Sequence, residues 1–295
     1  MRICRGGRYG KGSVRMDRIR KNFAFGFMRL PRKDGAVDKA ETCAMVDAFL
    51  ANGFNYFDTA HGYLDGQSEL AIRACLTARY PRESYVLTDK LTDSYFQKEA
   101  DIRPFFASQL AACGVDYFDF YLMHAQNVEN FAHFKSCRAY ETAFALKAEG
   151  KIRHVGLSFH DRASVLEQIL TEYPQVEIVQ IQLNYVDFDD PAVESGKCLA
   201  VCQKHGKPVI VMEPCKGGSL ARLLQGRNVA KLGHAQAGQA ALARAQELAG
   251  AAQLQVLFGN PKAVAPILLV RQQQQPFTRG GRIRLGEERT VARML

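Results

Sequence analysis

The chain has 295 residues, 47% of them hydrophobic, with a formal net charge of +9; that suits one barrel-sized domain or two smaller ones and is too apolar for a disordered chain. No apolar run approaches the roughly 18 residues that cross a bilayer, and the opening MRICRGGRYGKGSVR has no apolar stretch behind its basic residues, so it reads as a basic arm and not as a secretory signal. The charge is terminal: residues 1–22 carry eight Lys/Arg and one Asp, residues 225–295 carry ten Lys/Arg and three Glu, and the body between them nets -5.

From Phe23 to Leu224, short β-rich runs alternate with amphipathic stretches. Ala24–Met28 reads as a strand. Met45, Val46, Phe49 and Leu50 then have helical spacing, with Asp38 and Glu41 set as a capping box and Gly53 as the stop. Asn55–Asp58 is the second strand, followed by a helix from about Ser68 to Arg79 and a strand at Tyr85–Lys90. A helix over Asp101–Cys113 leads to a strand at Phe118–His124. The pattern continues with a helix at Ala139–Gly150, a strand at His154–Ser158, a helix at Arg162–Glu172 and a strand at Glu177–Leu183. A helix at Ala192–His205 and a strand at Pro208–Met212 complete it. Seven apolar strands with helices between them predict a parallel sheet covered by helices. No G-x-G-x-x-G follows the first strand, which disfavours a dinucleotide-binding open sheet and leaves a barrel.

After Leu224 the composition changes. Residues 225–295 have no Asp, two aromatics (Phe258 and Phe277), ten Gln and thirteen Ala. Ala240–Ala252 has helical composition, Leu254–Phe258 and Ile267–Val270 are rival candidates for an eighth strand, and the end from Gln272 reads as disordered. The expected organisation is a basic extension over 1–22, a barrel over 23–224 and an atypical basic segment over 225–295. Neither basic end interleaves aromatics, so no nucleic-acid partner is expected, and a basic-tailed RNA-binding protein is the last-ranked reading.

Eight cysteines are scattered without framework spacing, as in a reduced, cytoplasmic protein. Cys198 and Cys202 stand four apart on a helix; buried helix cysteines are the preferred reading of that spacing over a metal or redox pair, since no ligand partner lies nearby in sequence, and no metal is expected.

Active sites of parallel barrels form at the C-terminal ends of the strands. Asp58 ends the second strand, Tyr63 follows in the loop DTAHGYLDG, Lys90 ends the third and His124 the fourth. Singly, each has a bland reading as a cap, a rim packer, a solvated charge or a satisfied core histidine. At successive strand ends of a closed barrel they converge, and their chemistry is coherent. Hydride addition to a carbonyl builds charge on oxygen, which needs a proton. A free phenol, with a pKa near ~10, is a poor donor that a neighbouring ammonium improves. Asp58 would hold Lys90, His124 would orient the carbonyl, and a cofactor must bring the hydride.

FGFMRLP, NYFDTAHGY, the lysine of LTDK, GVDYFDFYLMH, AEGKIRHVGLSFH and VQIQLNY, in this order from about Phe25 to Leu224, resemble the successive signatures of the aldo-keto reductase superfamily. They are similar above all to its microbial subgroup with MEPxKGGSL after the seventh strand. The resemblance implies a (β/α)8 TIM-type barrel, here with an atypical or incomplete eighth unit. It implies Asp58, Tyr63, Lys90 and His124 as a catalytic tetrad, and NADPH, with NADH as the alternative, as cofactor. A small-molecule aldehyde or ketone is the implied substrate, with no membrane partner. Met28, Ser158, Gln182, Met212, Ser219 and Leu220 are the implied cofactor contacts. Met212 stands where many members stack an aromatic on the nicotinamide, and Phe159 replaces an Asn common after that serine. Nothing in residues 225–295 matches the family's VLSGM-like phosphate loop, and no cysteine follows Cys215, where subgroup members carry an iron–sulfur segment. The break near Gln225 therefore reads as a shifted frame or a foreign end, Met16 as the natural start, and a non-catalytic barrel fragment as the rival to an active reductase.

Overall fold

Alternating apolar runs at 24, 56, 86, 120, 178 and 210 build the inner wall of a barrel. A computed structural model describes residues 18–184 and 186–218, together with the strand 254–258. Eight parallel strands close in sequence order: β1 (Phe23–Gly26), β2 (Tyr56–Asp58), β3 (Val86–Leu91), β4 (Phe118–Gln126), β5 (Ile152–Phe159), β6 (Ile178–Gln182), β7 (Val209–Met212) and β8 (Leu254–Phe258). Of the two candidates for an eighth strand, Leu254–Phe258 is in the sheet. Val256 pairs with Phe23 of β1 on one side and with Val211 of β7 on the other. The alternative Ile267–Val270, residues 240–252 with their expected helix, the end from Gln272 expected to lack order, Cys4, Met16, Ser219 and Leu220 lie outside the described residues.

The pleat sends alternate residues inward. Ala24, Tyr56, Val86, Phe120, Leu122, Ile178 and Ile210 form an apolar layer of their own inside the barrel. Their strand neighbours Phe25, Phe57, Leu87, Tyr121, Val179 and Val211 join the larger core under the helices. Two or four residues further along, and at Ser158 of β5, the inward positions become Asp58, Lys90, His124, Gln180 and Gln182, so one end of the barrel is polar and the centre is apolar. Gly156 is the tight point of the packing. A Cβ there would lie 2.6 Å from the Ile178 carbonyl and 2.7 Å from Leu122, so no larger residue fits between β4 and β6.

The covering helices are α1 (Lys39–Ala51), α2 (Gln67–Ile72), α3 (Glu99–Cys113), α4 (Val128–Ser136), α5 (Ala139–Ala148), α6 (Ala163–Glu172) and α7 (Ser195–Lys204). Asp38 caps α1 by accepting the Glu41 amide at 3.0 Å, as its spacing predicts. The helix expected over Ser68–Arg79 is two pieces, because α2 widens into a π-turn over Arg73–Thr77. Helix α4 was not expected. Its signals are Asn127, whose side chain accepts the Asn130 amide at 2.7 Å, and Phe131 and Phe134, three apart and both buried. A short hairpin, Arg32–Lys33 with Ala36–Val37, turns through Asp34 and Gly35 with φ of 51° and 82°, the left-handed pair an Asp-Gly turn supplies. At the end opposite the polar rim, buried Asp119 accepts from Arg18, from Arg82 at 2.7 Å and from the Leu87 amide at 2.9 Å, which fastens the chain before β1 to β3 and β4.

Closure by Leu254–Phe258 is open to a direct test. Val256→Pro removes a ladder donor in the middle of a strand paired on both sides and leaves a buried carbonyl unpaired, which costs roughly 1–3 kcal/mol. Urea unfolding should show that loss, and an unchanged midpoint would mean that the segment is not in the barrel.

Candidate active site

Lys90 is 1% exposed, and its ammonium must place three N–H donors without water. One meets Asp58 Oδ1 at 2.6 Å and one the Thr59 carbonyl at 2.8 Å. The third direction faces Tyr63, whose ring centroid lies 4.7 Å from Nζ. Asp58 Oδ2 accepts from the Gln180 amide at 3.4 Å. Burial pushes the Asp58 carboxyl up, and the Lys90 charge pulls it back. Burial opposes the Lys90 charge too, but Asp58 and Tyr63 more than offset it and hold the ammonium above its ordinary pKa. The Asp58 carboxyl stays above its ordinary pKa, and each group is the other's chief electrostatic compensation.

Tyr63 is half-buried at the rim. Burial holds its phenol above the ordinary pKa; Lys90 lowers it through charge and a hydrogen-bonding contact without cancelling that rise, and Asp58 raises it by a smaller amount than the Lys90 charge lowers it. The His124 ring meets the Tyr63 ring edge-on, centroids 5.8 Å apart. Burial, followed by the Lys90 charge, lowers the His124 pKa to about 3, so the imidazole is neutral. Its Nδ1 is 2.7 Å from the Thr92 hydroxyl. If Thr92 donates there, the proton sits on Nε2 and Nε2 becomes a donor toward the rim.

Four of the eight left-handed non-glycine residues among the described residues lie beside these side chains. Leu64 and Asp65 follow Tyr63 with φ of 53° and 54°, Ala125 follows His124 with 49°, and Glu213 follows Met212 with 53°. Left-handed non-glycine residues cost of order 1 kcal/mol each and are retained where the surroundings impose them. At Ala125 the cause is a bulge: the β4–β5 register shifts between Met123 and Gln126, and Ser158 Oγ accepts the Ala125 amide at 2.8 Å.

Ser158, Gln182 and Met212 stand at the ends of β5, β6 and β7, three consecutive strands, and Gln182 and Met212 are direct register partners. With its acceptor role taken by Ala125, the Ser158 hydroxyl has its own proton to donate. Gln182 donates to Glu213 at 3.3 Å and bonds the His160 ring. Met28 sits beyond β1 and is 44% exposed. The four tetrad positions thus converge, three of the expected cofactor positions share one arc of the rim, and Ser219 and Leu220 fall outside the described residues. Cys198 and Cys202 are both buried, and burial raises both thiols, so neither is poised as a thiolate.

The sequence reading passed over two residues that this geometry brings into the site. Gln180 lies two before Gln182 in VQIQLNY and Thr92 two after Lys90, so each shares the inward face with a residue already singled out.

The Aldo/keto reductase family model matches residues 22–256, and the chain belongs to that family. The chain is 31% identical over 185 residues to the NADH-specific methylglyoxal reductase of Escherichia coli (strain K12), a match covering 57% of this chain and 54% of the relative. It is 34% identical over 118 residues to an aldo-keto reductase of Mycolicibacterium smegmatis, covering 40% and 41%. The matched part thus spans about half the length of these curated relatives. Among solved structures, a thermostable aldo-keto reductase in complex with epalrestat superposes with a TM-score of 0.63 at 20% identity, over 92% of this chain and 93% of that one. A Klebsiella pneumoniae aldo/keto reductase in complex with NADP and acetate gives 0.61 at 18%, over 92% and 90%. At these identities, what the solved structures share with the chain is the barrel.

The depressed His124 pKa has a thermodynamic consequence. An unfolded histidine titrates near ~6.5, so the neutral folded form contributes stability that is present above that pH and is lost as pH falls toward about 3. His124→Gln should flatten the stability–pH curve over that window in urea titrations. A curve with the wild-type slope would contradict the assignment.

Proposed function

We propose that the chain reduces an aldehyde or ketone with hydride from NADPH or NADH, Tyr63 acting as proton donor. The observation that carries this reading is the buried Lys90–Asp58 pair aimed at the Tyr63 phenol, with a neutral imidazole beside it. Membership of the family supports the reaction class. The names of the E. coli relative and of the NADP-bound Klebsiella protein support a nicotinamide cofactor.

The rim residues fit such a group. A carboxamide offers one acceptor and one donor set; Ser158 has a hydroxyl proton to give, and Gln182 has an amide that both donates and accepts. Ser158 and Gln182 would hold the nicotinamide carboxamide, and Met212 would lie against the ring, a softer surface than an aromatic. When bound, the cofactor supplies the hydride.

The chain's own residues do the rest. As hydride adds to the carbonyl carbon, the π pair moves to oxygen. Tyr63 gives that oxygen its proton and is left as a phenolate. Lys90, beside the ring, stabilises the phenolate by its charge, and Asp58 keeps Lys90 charged and in place. His124 donates from Nε2 to the carbonyl oxygen, fixing the face presented, while Thr92 holds the tautomer. The buried inner layer below excludes water, so these charges act in a low dielectric.

Tyr63→Phe removes the proton and keeps the ring. Turnover with a panel of small aldehydes should fall at least about a hundredfold, the usual scale for a general acid, while a fluorescence titration shows unchanged NADPH affinity. Near-normal turnover in the variant would refute the role.

A further inference from the structure

Behind Lys90, on the outer side of the barrel wall, lies a polar cluster in which every member is buried: Asp89 of β3, Glu69 of α2, Gln109 and Cys113 of α3 and Tyr121 of β4. The ligating atoms of Glu69, Asp89 and Cys113 lie within 4.8 Å of one another. Gln109 is the centre of the cluster. Its Nε2 donates to Glu69 Oε1 at 3.2 Å and to the Lys90 carbonyl at 3.0 Å, and its Oε1 accepts from Tyr121 at 2.5 Å, so both its donors and its oxygen are engaged. Asp89 Oδ1 accepts the Lys90 amide at 2.8 Å, and its Oδ2 takes a longer contact from Cys113 at 3.7 Å. The peptide groups on both sides of Lys90 are therefore pinned from outside the barrel.

Glu69 also reaches the other half of the site. Its Oε2 lies 2.8 Å from His61 Nδ1, and His61 precedes Tyr63 by two residues. The neighbouring Ser68 meets Thr59 at 2.6 Å and the Phe27 carbonyl at 3.1 Å, so the start of α2 clasps the segment that carries Tyr63. That segment needs a clasp, because Leu64 and Asp65 hold left-handed backbone.

We propose that Glu69 is a positioning residue for carbonyl reduction: it ties the Tyr63 loop, through His61, to the Lys90 strand, through Gln109, and so keeps phenol and ammonium in register. The inference rests on the roles given above to Tyr63 and Lys90. Two carboxyl groups sharing one dry pocket cannot both ionise cheaply. Burial raises both, the Glu69 charge raises Asp89 further, and Glu69 is pushed up to about 7. The groups facing Glu69 are His61, Asp89, Gln109, Cys113 and Tyr121, with the Lys90 ammonium on the far face of β3. Around neutrality the cluster therefore exchanges a proton and changes its charge directly behind the tetrad.

The test compares Glu69→Gln and Gln109→Met with Tyr63→Phe, each assayed for reduction of a small aldehyde with NADPH from pH 6 to 9. Coupled contacts of this kind are worth about tenfold. Glu69→Gln should therefore lower kcat about tenfold, leave KM and NADPH affinity within about twofold, and lack the inflection near pH 7 that the wild type should show. Gln109→Met should lower kcat similarly and keep the inflection; it carries the test if Glu69→Gln does not fold. Wild-type kcat in both variants, or a lowered kcat with the inflection intact in Glu69→Gln, overturns the proposal. Near-normal turnover of Tyr63→Phe would instead sink the reading on which it rests.

Discussion

A lysine ammonium that is 1% exposed has lost its water and must be repaid in full by the protein. Lys90 is repaid by Asp58, by the Thr59 carbonyl and by the face of Tyr63. Each partner comes from the end of β2 or the loop behind it, so the ion pair binds two strands and a loop into one object. Removing either charge alone would leave the other buried and unpaired, the costly case. The arrangement is thus weak as a source of net stability and strong as a determinant of geometry.

The rest of the rim answers to that geometry. The inner layer is apolar up to Leu122 and Ile178, which keeps water from the pair. The bulge at Ala125 turns His124 toward Tyr63, and Ser158 holds the bulge by its amide. Left-handed residues follow Tyr63, His124 and Met212, so the segments that aim these side chains carry backbone strain. On the outer wall, Asp89 and Gln109 fix the Lys90 peptide groups, and Glu69 carries the fixing across to the Tyr63 loop.

Much of this was legible in the sequence, because strand alternation and strand ends carry the information. The runs ending in Asp58, Lys90 and His124 predict both the parallel barrel and the convergence of three charged or polar side chains, and Tyr63 follows from its loop. Gln180 and Thr92 were legible by the same period of two and were passed over, since neither ends a run. Glu69 and Gln109 were not legible. They lie on amphipathic helices, where a buried polar residue looks like any helix polar residue until the strand it faces is known. Helix α4 was missed because its apolar signal is only two phenylalanines. For the last strand, composition left Leu254–Phe258 and Ile267–Val270 equal, and only pairing with β1 and β7 separates them.

The central claim is that the Lys90 charge acts on the Tyr63 phenol. It is tested most directly by the phenol's own titration, followed by carbon NMR of ring-labelled tyrosine in the wild type and in Asp58→Asn/Lys90→Met. Removing both members together leaves no uncompensated charge, so the double variant is free of the cost of an unpaired ion. Of the charge effects that this pair exerts on Tyr63, the lowering by Lys90 is larger than the raising by Asp58. The account predicts a higher phenol pKa in the variant than in the wild type. An equal or lower value would contradict it.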